Sequence, residues 1–175
     1  MGQHCRILGG LIWICAGTIL ALRPGNAPGV SFRASTDVLP WLVLGLLLIA
    51  AMLYSLYRRQ RALIGTLGKW AAFSAIAGAI LYALGHVARQ FLAGGWEPAV
   101  PTGFLIVILS SFTLAIATLR VVVYPKRVGI ALLFGAVFLL FFNDQFAAAW
   151  SAVPFGLTCI VLGLLMQRHE HAAKD

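Results

Sequence analysis

The chain has 175 residues, of which 61% are hydrophobic and only 10% are charged, and its net charge is +8. Soluble domains carry about 25% charged residues, so a soluble fold of this composition would have too few polar side chains to cover its surface. The length suits one helical bundle without a separate catalytic domain. The positive charge does not predict a nucleic-acid partner, because no basic patch is interleaved with exposed aromatic residues.

Six apolar stretches follow one another, and each predicts a transmembrane helix. They cover approximately residues 7–22, 38–57, 70–91, 102–122, 128–142 and 152–166. Helices are expected because an isolated strand would leave backbone groups unpaired in lipid, and these runs do not alternate as barrel strands do. The first stretch is shorter than the ~20 residues of an ideal span. We expect it to be a retained helix rather than a cleaved signal peptide, and a five-span bundle is the alternative.

Basic residues mark alternate ends of these segments and predict the orientation. With a cytoplasmic N-terminus, only Arg23, Arg33 and Arg89 fall on the outer side. The inner side then holds Arg6, Arg58, Arg59, Arg61, Lys69, Arg120, Lys126, Arg127, Arg168 and Lys174. The positive-inside rule therefore predicts an all-α, polytopic bundle of six helices with both termini in the cytoplasm, and we expect a bacterial inner membrane. Arg58, Arg59, Arg61, Lys126 and Arg127 are predicted to set this topology and to meet lipid headgroups.

The third segment has the most unusual pattern of the six. Ala75, Ala79, Tyr82, His86 and Arg89 lie on one helical face, and the small residues among them let another helix approach closely. Because ionisable groups at depth are costly, His86 and Arg89 are candidates for a ligand site or a polar path. Axial ligation of a haem or chlorin by His86, or binding of a quinone, is one alternative. The preferred interpretation is structural: His86 bonds to a neighbouring helix and Arg89 reaches the outer headgroups.

Asp144 is the second residue that invites a functional hypothesis. It belongs to the polar run Asn143-Asp144-Gln145, which interrupts the apolar sequence after segment five. If segment five continued as a helix, Asp144 would lie in the outer half of the bilayer, where it would pair with Arg89. The preferred interpretation is a solvated hairpin, which would leave Asp144 without a membrane role.

Small and weakly polar residues in the later segments predict helix packing. The positions are Ser110 and Thr113 in segment four, Gly135 in segment five, and Gly156 and Gly163 in segment six. Stripes of this kind are typical of close helix–helix contact in membranes and are not evidence of a pore. No protease motif, nucleotide-binding loop or metal-ligand spacing accompanies them.

The sequence as a whole therefore predicts a non-enzymatic, multi-pass membrane protein. Minimal extramembrane regions and abundant packing positions favour a structural or accessory subunit that packs against other transmembrane subunits or against copies of itself. The first alternative is a small transporter or channel with a polar path through His86, Arg89 and Asp144. The second is a quinone-, haem- or chlorin-binding subunit centred on His86. In the preferred interpretation the protein needs no cofactor and no metal, and its partners are lipid and other helices.

Overall fold

The structure, a computed structural model, describes residues 2–22, 39–91, 98–121, 123–141 and 151–172. Within these ranges six helices account for almost every residue, and no strand occurs among them. The helices are α1 (Gly2–Leu22), α2 (Leu39–Gln60), α3 (Gly65–Phe91), α4 (Ala99–Arg120), α5 (Lys126–Phe141) and α6 (Ala152–Ala172). The prediction of an all-helical fold is confirmed for the described residues.

The helix boundaries differ from the predicted ones chiefly at one end of the molecule. α1 begins five residues earlier than expected, and α6 continues through Ala172 into a segment that was predicted to be a polar tail. The connector after α2 is also shorter than predicted, because α3 already begins at Gly65. Apolar runs predict where lipid ends, whereas the helical backbone continues into the aqueous region wherever its own hydrogen bonds persist.

Three described helices are long and apolar enough to cross a membrane. They are Gly65–Ala88 in α3, Ala99–Arg120 in α4 and Ala152–His169 in α6. α1 contributes a shorter apolar stretch, Ile7–Ile19. These lengths fit an integral membrane protein, because a span needs ~20 apolar residues.

The helices form a closed ring in which each packs against the next and α1 packs against α6. Neighbouring helices are antiparallel. Gly68 near the start of α3 lies against Ala117 near the end of α4, while Gly85 near the end of α3 lies against Val100. The beginnings of α1, α3 and α5 therefore lie at the same end of the bundle as the ends of α2, α4 and α6. We call this the inner end.

Apolar side chains fill the space inside the ring. The largest fully buried ones include Trp13, Leu53, Leu56, Leu114, Val128, Leu139, Leu162 and Met166. The Trp13 ring meets the Phe155 ring edge-on, with centroids 5.6 Å apart, and so links α1 to α6. Large apolar side chains also remain exposed on the outer faces, among them Phe73, Leu109, Phe134 and Leu157. In lipid such exposure costs little, so close packing rather than the hydrophobic effect holds these helices together.

Candidate functional site

Tyr82 and His86 lie one helical turn apart on α3, on the face that packs against α4. Both are buried, with 4% of each side chain exposed. The two rings meet edge-on with centroids 4.5 Å apart, and the Phe104 ring of α4 lies 5.7 Å from that of Tyr82. The predicted candidates Tyr82 and His86 are thus brought together within the bundle, inside an aromatic cluster.

Glycines allow α3 and α4 to approach closely beside this cluster. A Cβ atom on Gly103 would lie 2.5 Å from the Tyr82 backbone nitrogen and 2.8 Å from the Gly78 carbonyl oxygen. Real Cβ atoms essentially never come so close, so only glycine fits at this crossing. The close approach fixes the backbone of Tyr82 against α4 and thereby positions the ring that contacts His86.

An imidazole in this setting can donate or accept a hydrogen bond, and it can also ligate a metal or haem iron. A haem held by two histidines would need a second one nearby, but His169 lies at the inner end of α6 whereas His86 lies near the other end of α3. Among the described residues, no three His, Cys, Asp or Glu side chains are grouped to hold a metal ion.

The other two members of the predicted polar path, Arg89 and Asp144, lie largely outside the described part of the chain. Arg89 belongs to α3, three residues after His86, but its side chain is not described. Asp144 and its neighbours Asn143 and Gln145 also lie outside the described residues. The pairing of Arg89 with Asp144 and the polar path through His86 therefore stay hypotheses.

The residues predicted to pack helices lie mostly at helix contacts. Ala75 and Ala79 are buried on α3, Ser110 is buried on α4, and Gly163 is buried on α6. The Thr113 hydroxyl donates to the Leu109 carbonyl of its own helix at 2.9 Å, which leaves it no proton for a neighbouring helix.

Two predicted glycines lie at contacts of α6. Gly135 of α5 faces Thr158, and Gly156 faces the Gly10 carbonyl of α1. α6 therefore meets both of its neighbours in the ring at a glycine.

Exposed cations surround the inner end of the bundle. The described ones are Arg58, Arg59, Arg61, Lys69, Arg120, Lys126, Arg127 and Arg168, and every one of these side chains is exposed. We call this set the basic collar. It contains all five residues that were predicted to meet headgroups. Glu170, whose side chain is not among those described, follows Arg168 at the same end.

The fold buries two polar residues at the inner end, and sequence reasoning missed one of them, Gln60. Gln60, the last residue of α2, is 1% exposed, and Thr118 of α4 is 3% exposed. Neither the amide atoms of Gln60 nor the hydroxyl of Thr118 has a hydrogen-bond partner among the described residues. Gln60 was overlooked because it stands within the run from Arg58 to Arg61, which indicates a helix end. Its place seven residues after Leu53, on the same helical face, was the available signal.

A small pocket lies inside the ring, away from Tyr82 and His86. Leu53 of α2, Ser111 of α4, Leu132 of α5 and Leu162 of α6 are among the residues that line it. Its free space is enough for about one water molecule, which is far too little for a haem, a chlorin or a quinone.

Comparisons with known proteins give no relative for this chain. No protein-family model matches it, and neither curated proteins nor solved structures give a match. Its function therefore has to be argued from the geometry described above.

Proposed function

We propose that this chain is a non-enzymatic integral membrane protein that serves as a structural or accessory subunit of a larger membrane complex. The observation that carries the proposal is the filled ring. Apolar side chains occupy its interior, while large apolar side chains on the outer faces stay exposed and are available to partner helices as well as to lipid.

The ring supports six spans rather than five. α1 packs along both α2 and α6, with Gly9 against Leu48 on one side and Gly10 against Ile160 on the other. A helix held between two others has to lie at the same depth as they do. Its apolar stretch, Ile7–Ile19, covers roughly 20 Å, which is less than the ~30 Å hydrocarbon core, so the packing of α1 and not its length carries the proposal of a sixth span.

The basic collar supports the proposed orientation. All cations whose side chains are described lie at the inner end, together with the exposed aromatic side chains of Trp70 and Tyr54, which suit the interface between lipid and water. Arg89, whose side chain is not described, lies near the other end of α3. The positive-inside rule then assigns this end, with both termini, to the cytoplasm. The exposed Trp41 near the beginning of α2 belongs to the opposite interface.

Two of the described hydroxyl groups support a role without catalysis. Ser55 donates to the Met52 carbonyl and Thr158 to the Pro154 carbonyl, each at 2.8 Å and each within its own helix. A hydroxyl that donates its proton to a carbonyl of its own helix does not act as an activated nucleophile. Tyr82 and His86 lie in the α3–α4 contact, and neither of them lines the interior pocket.

The experiment that tests this proposal is extraction in a mild detergent, followed by native mass spectrometry and an absorption spectrum of the same sample. We expect larger transmembrane subunits to copurify in a fixed ratio, without a visible pigment. A lone monomer or a homo-oligomer would contradict the accessory role and would favour the transport alternative.

A pigment would instead favour the cofactor alternative, and a matched pair of variants would locate it. His86→Ala removes the buried imidazole, whereas Val87→Ala alters an exposed neighbour on the same turn. Loss of the absorption band in the first variant alone would assign the pigment to His86. An unchanged band in both variants would exclude His86 as its ligand.

A further inference from the structure

The side chains inside the ring change from apolar to polar along its axis, toward the inner end. Leu53, Ser111 and Leu162 line the same pocket, and they belong to α2, α4 and α6, which all run toward the inner end. Seven residues make almost two full turns, so a residue seven positions further on lies on the same face and about 10 Å nearer the inner end. Residues three or four positions after the pocket residues therefore form a first layer below the pocket, and residues seven positions after them form a second layer.

The first of these layers is apolar and tightly closed. It consists of Leu56 on α2, Leu114 on α4, Met166 on α6 and Val128 on α5, and none of these side chains is more than 2% exposed. A layer of this kind excludes water from the pocket above it. We call it the apolar layer.

The second layer is polar and lies between the apolar layer and the basic collar. The residues seven positions after Leu53, Ser111 and Leu162 are Gln60, Thr118 and His169. Tyr124, buried just before α5, joins them, since its ring lies 5.4 Å from the His169 ring. We call these four residues the inner polar layer.

Two members of the inner polar layer point to a ligand. Gln60 and Thr118 are almost fully buried, and their polar atoms find no hydrogen-bond partner among the described residues. Burying an amide or a hydroxyl without a hydrogen bond destabilises a protein, so water or a polar ligand is expected to satisfy these groups. The Gln60 amide and the Thr118 hydroxyl both offer protons to such a ligand.

The basic collar indicates that this ligand carries a negative charge. Its eight described cations lie exposed at the same end of the bundle, and a surface that carries one sign of charge attracts counter-ions. We propose that the inner polar layer is a hydrated site, closed in this structure, which opens at the inner end and binds a phosphate-type oxyanion. The oxyanion is either free phosphate or the phosphate of a lipid headgroup, and the apolar layer stops it from entering further.

Cysteine accessibility tests the opening of this site. In a background with the three native cysteines replaced by alanine, Gln60→Cys and Thr118→Cys each place a thiol in the inner polar layer and keep the other donor. Leu56→Cys and Leu114→Cys, one turn deeper, are the matched controls. We expect a charged methanethiosulfonate reagent to modify positions 60 and 118 at least roughly tenfold faster than positions 56 and 114, and a negatively charged reagent to react faster than a positively charged one.

Equal, slow reaction at all four positions would overturn the hydrated site. Fast reaction at positions 60 and 118 with no preference for the anionic reagent would overturn its selectivity for anions. The proposal rests on the orientation proposed above, so Ala62→Cys, an exposed position beside the collar, serves as a topology control. Labelling of position 62 by a membrane-impermeant reagent added outside sealed, right-side-out vesicles would contradict the orientation. The labelling rate of position 60 relative to that of position 62 would still test the site.

Protection from labelling identifies the source of the oxyanion. In nanodiscs of neutral lipid, slower labelling of position 118 on addition of inorganic phosphate would assign the site to a free oxyanion. Slower labelling only in nanodiscs that contain phosphatidylglycerol would assign it to a lipid headgroup. An unchanged labelling rate under both conditions would overturn the proposed ligand.

Discussion

Two contacts in the ring share one design, the α3–α4 contact and the α1–α6 contact. In each, a pair of glycines places each backbone against the carbonyl oxygen of the other. The pair is Gly78 and Gly103 in the first contact, and Gly10 and Gly156 in the second. Such pairs let helices approach to backbone distance, where van der Waals packing is strongest.

The two contacts differ in what surrounds the glycines. Around Gly103 the nearest atoms are all backbone atoms of Tyr82 and Gly78, whereas Gly156 also meets the flexible side chain of Ile14. The first contact joins neighbours in sequence and the second joins the first helix to the last. Gly78 also meets the Ile106 side chain, at 2.8 Å, so Gly103 is the position where the α3–α4 contact leaves no side chain to move, whereas both glycines of the α1–α6 contact face one.

Gly103→Ala is expected to have the largest effect on stability. The added Cβ would lie 2.5 Å from the Tyr82 nitrogen, and no rotation of a side chain can relieve a clash with backbone. We expect a loss of about 3 kcal/mol in the free energy of unfolding, measured by titration with sodium dodecyl sulfate in mixed micelles. Thr102→Ala, at an exposed neighbouring position, is the control. Equal stability of the two variants would show that α3 and α4 are not in backbone contact.

Gly156→Ala is expected to have an intermediate effect. Its Cβ would lie 2.6 Å from the Gly10 carbonyl oxygen and 2.5 Å from Cγ1 of Ile14, and only the second contact can be relieved by a change of rotamer. We expect a loss of about 2 kcal/mol in the same titration. Leu157→Ala, which truncates an exposed side chain, should change the free energy of unfolding far less. A loss as large as that of Gly103→Ala would remove the distinction between the two contacts.

The sequence predicted these two contacts unequally. Ala75 and Ala79 indicated that α3 lies in the bundle, and periodicity placed Tyr82 and His86 on the same face. Gly156 was expected to pack, but its partner was not predictable, because the local sequence of α6 carries no information about its contact with α1. Contacts between the ends of a chain depend on the closure of the whole ring.

The candidate sites show the same division. Charge patterning was enough to predict the cations of the basic collar, since the positive-inside rule operates on local sequence. The burial of Gln60 was missed because its neighbours Arg59 and Arg61 are exposed, and only the packing of α2 against the rest of the ring separates the three. Hydropathy averages over such a run, whereas burial depends on the direction of each side chain.

Gly65→Ala distinguishes two reasons for a glycine, the lack of space for a Cβ atom and a backbone conformation that other residues rarely adopt. Gly65 has a φ of +69°, and no atom lies within 4 Å of the position of an added Cβ. The expected loss of about 1 kcal/mol in the free energy of unfolding is therefore conformational, because an L-residue with a Cβ is strained in the left-handed region. Gly65→Asn is the matched variant, since asparagine tolerates this region better, and should recover part of the loss. A greater loss for asparagine would indicate that the turn lacks space after all.

Gly135→Ala should have the smallest effect and completes the comparison. Its Cβ would meet Cγ2 of Thr158 at 3.1 Å, a contact that a shift of a few tenths of an ångström relieves. Thr158 is held by its hydrogen bond to the Pro154 carbonyl, so the shift must involve α6 slightly rather than a new rotamer. The higher helix propensity of alanine, by up to about 1 kcal/mol, offsets this strain. We expect the free energy of unfolding to stay within about 0.5 kcal/mol of wild type, because this glycine, unlike Gly103 and Gly156, faces a side chain and not a carbonyl. A loss of the size expected for Gly156→Ala would place α5 and α6 in backbone contact and extend the glycine design to a third pair of helices.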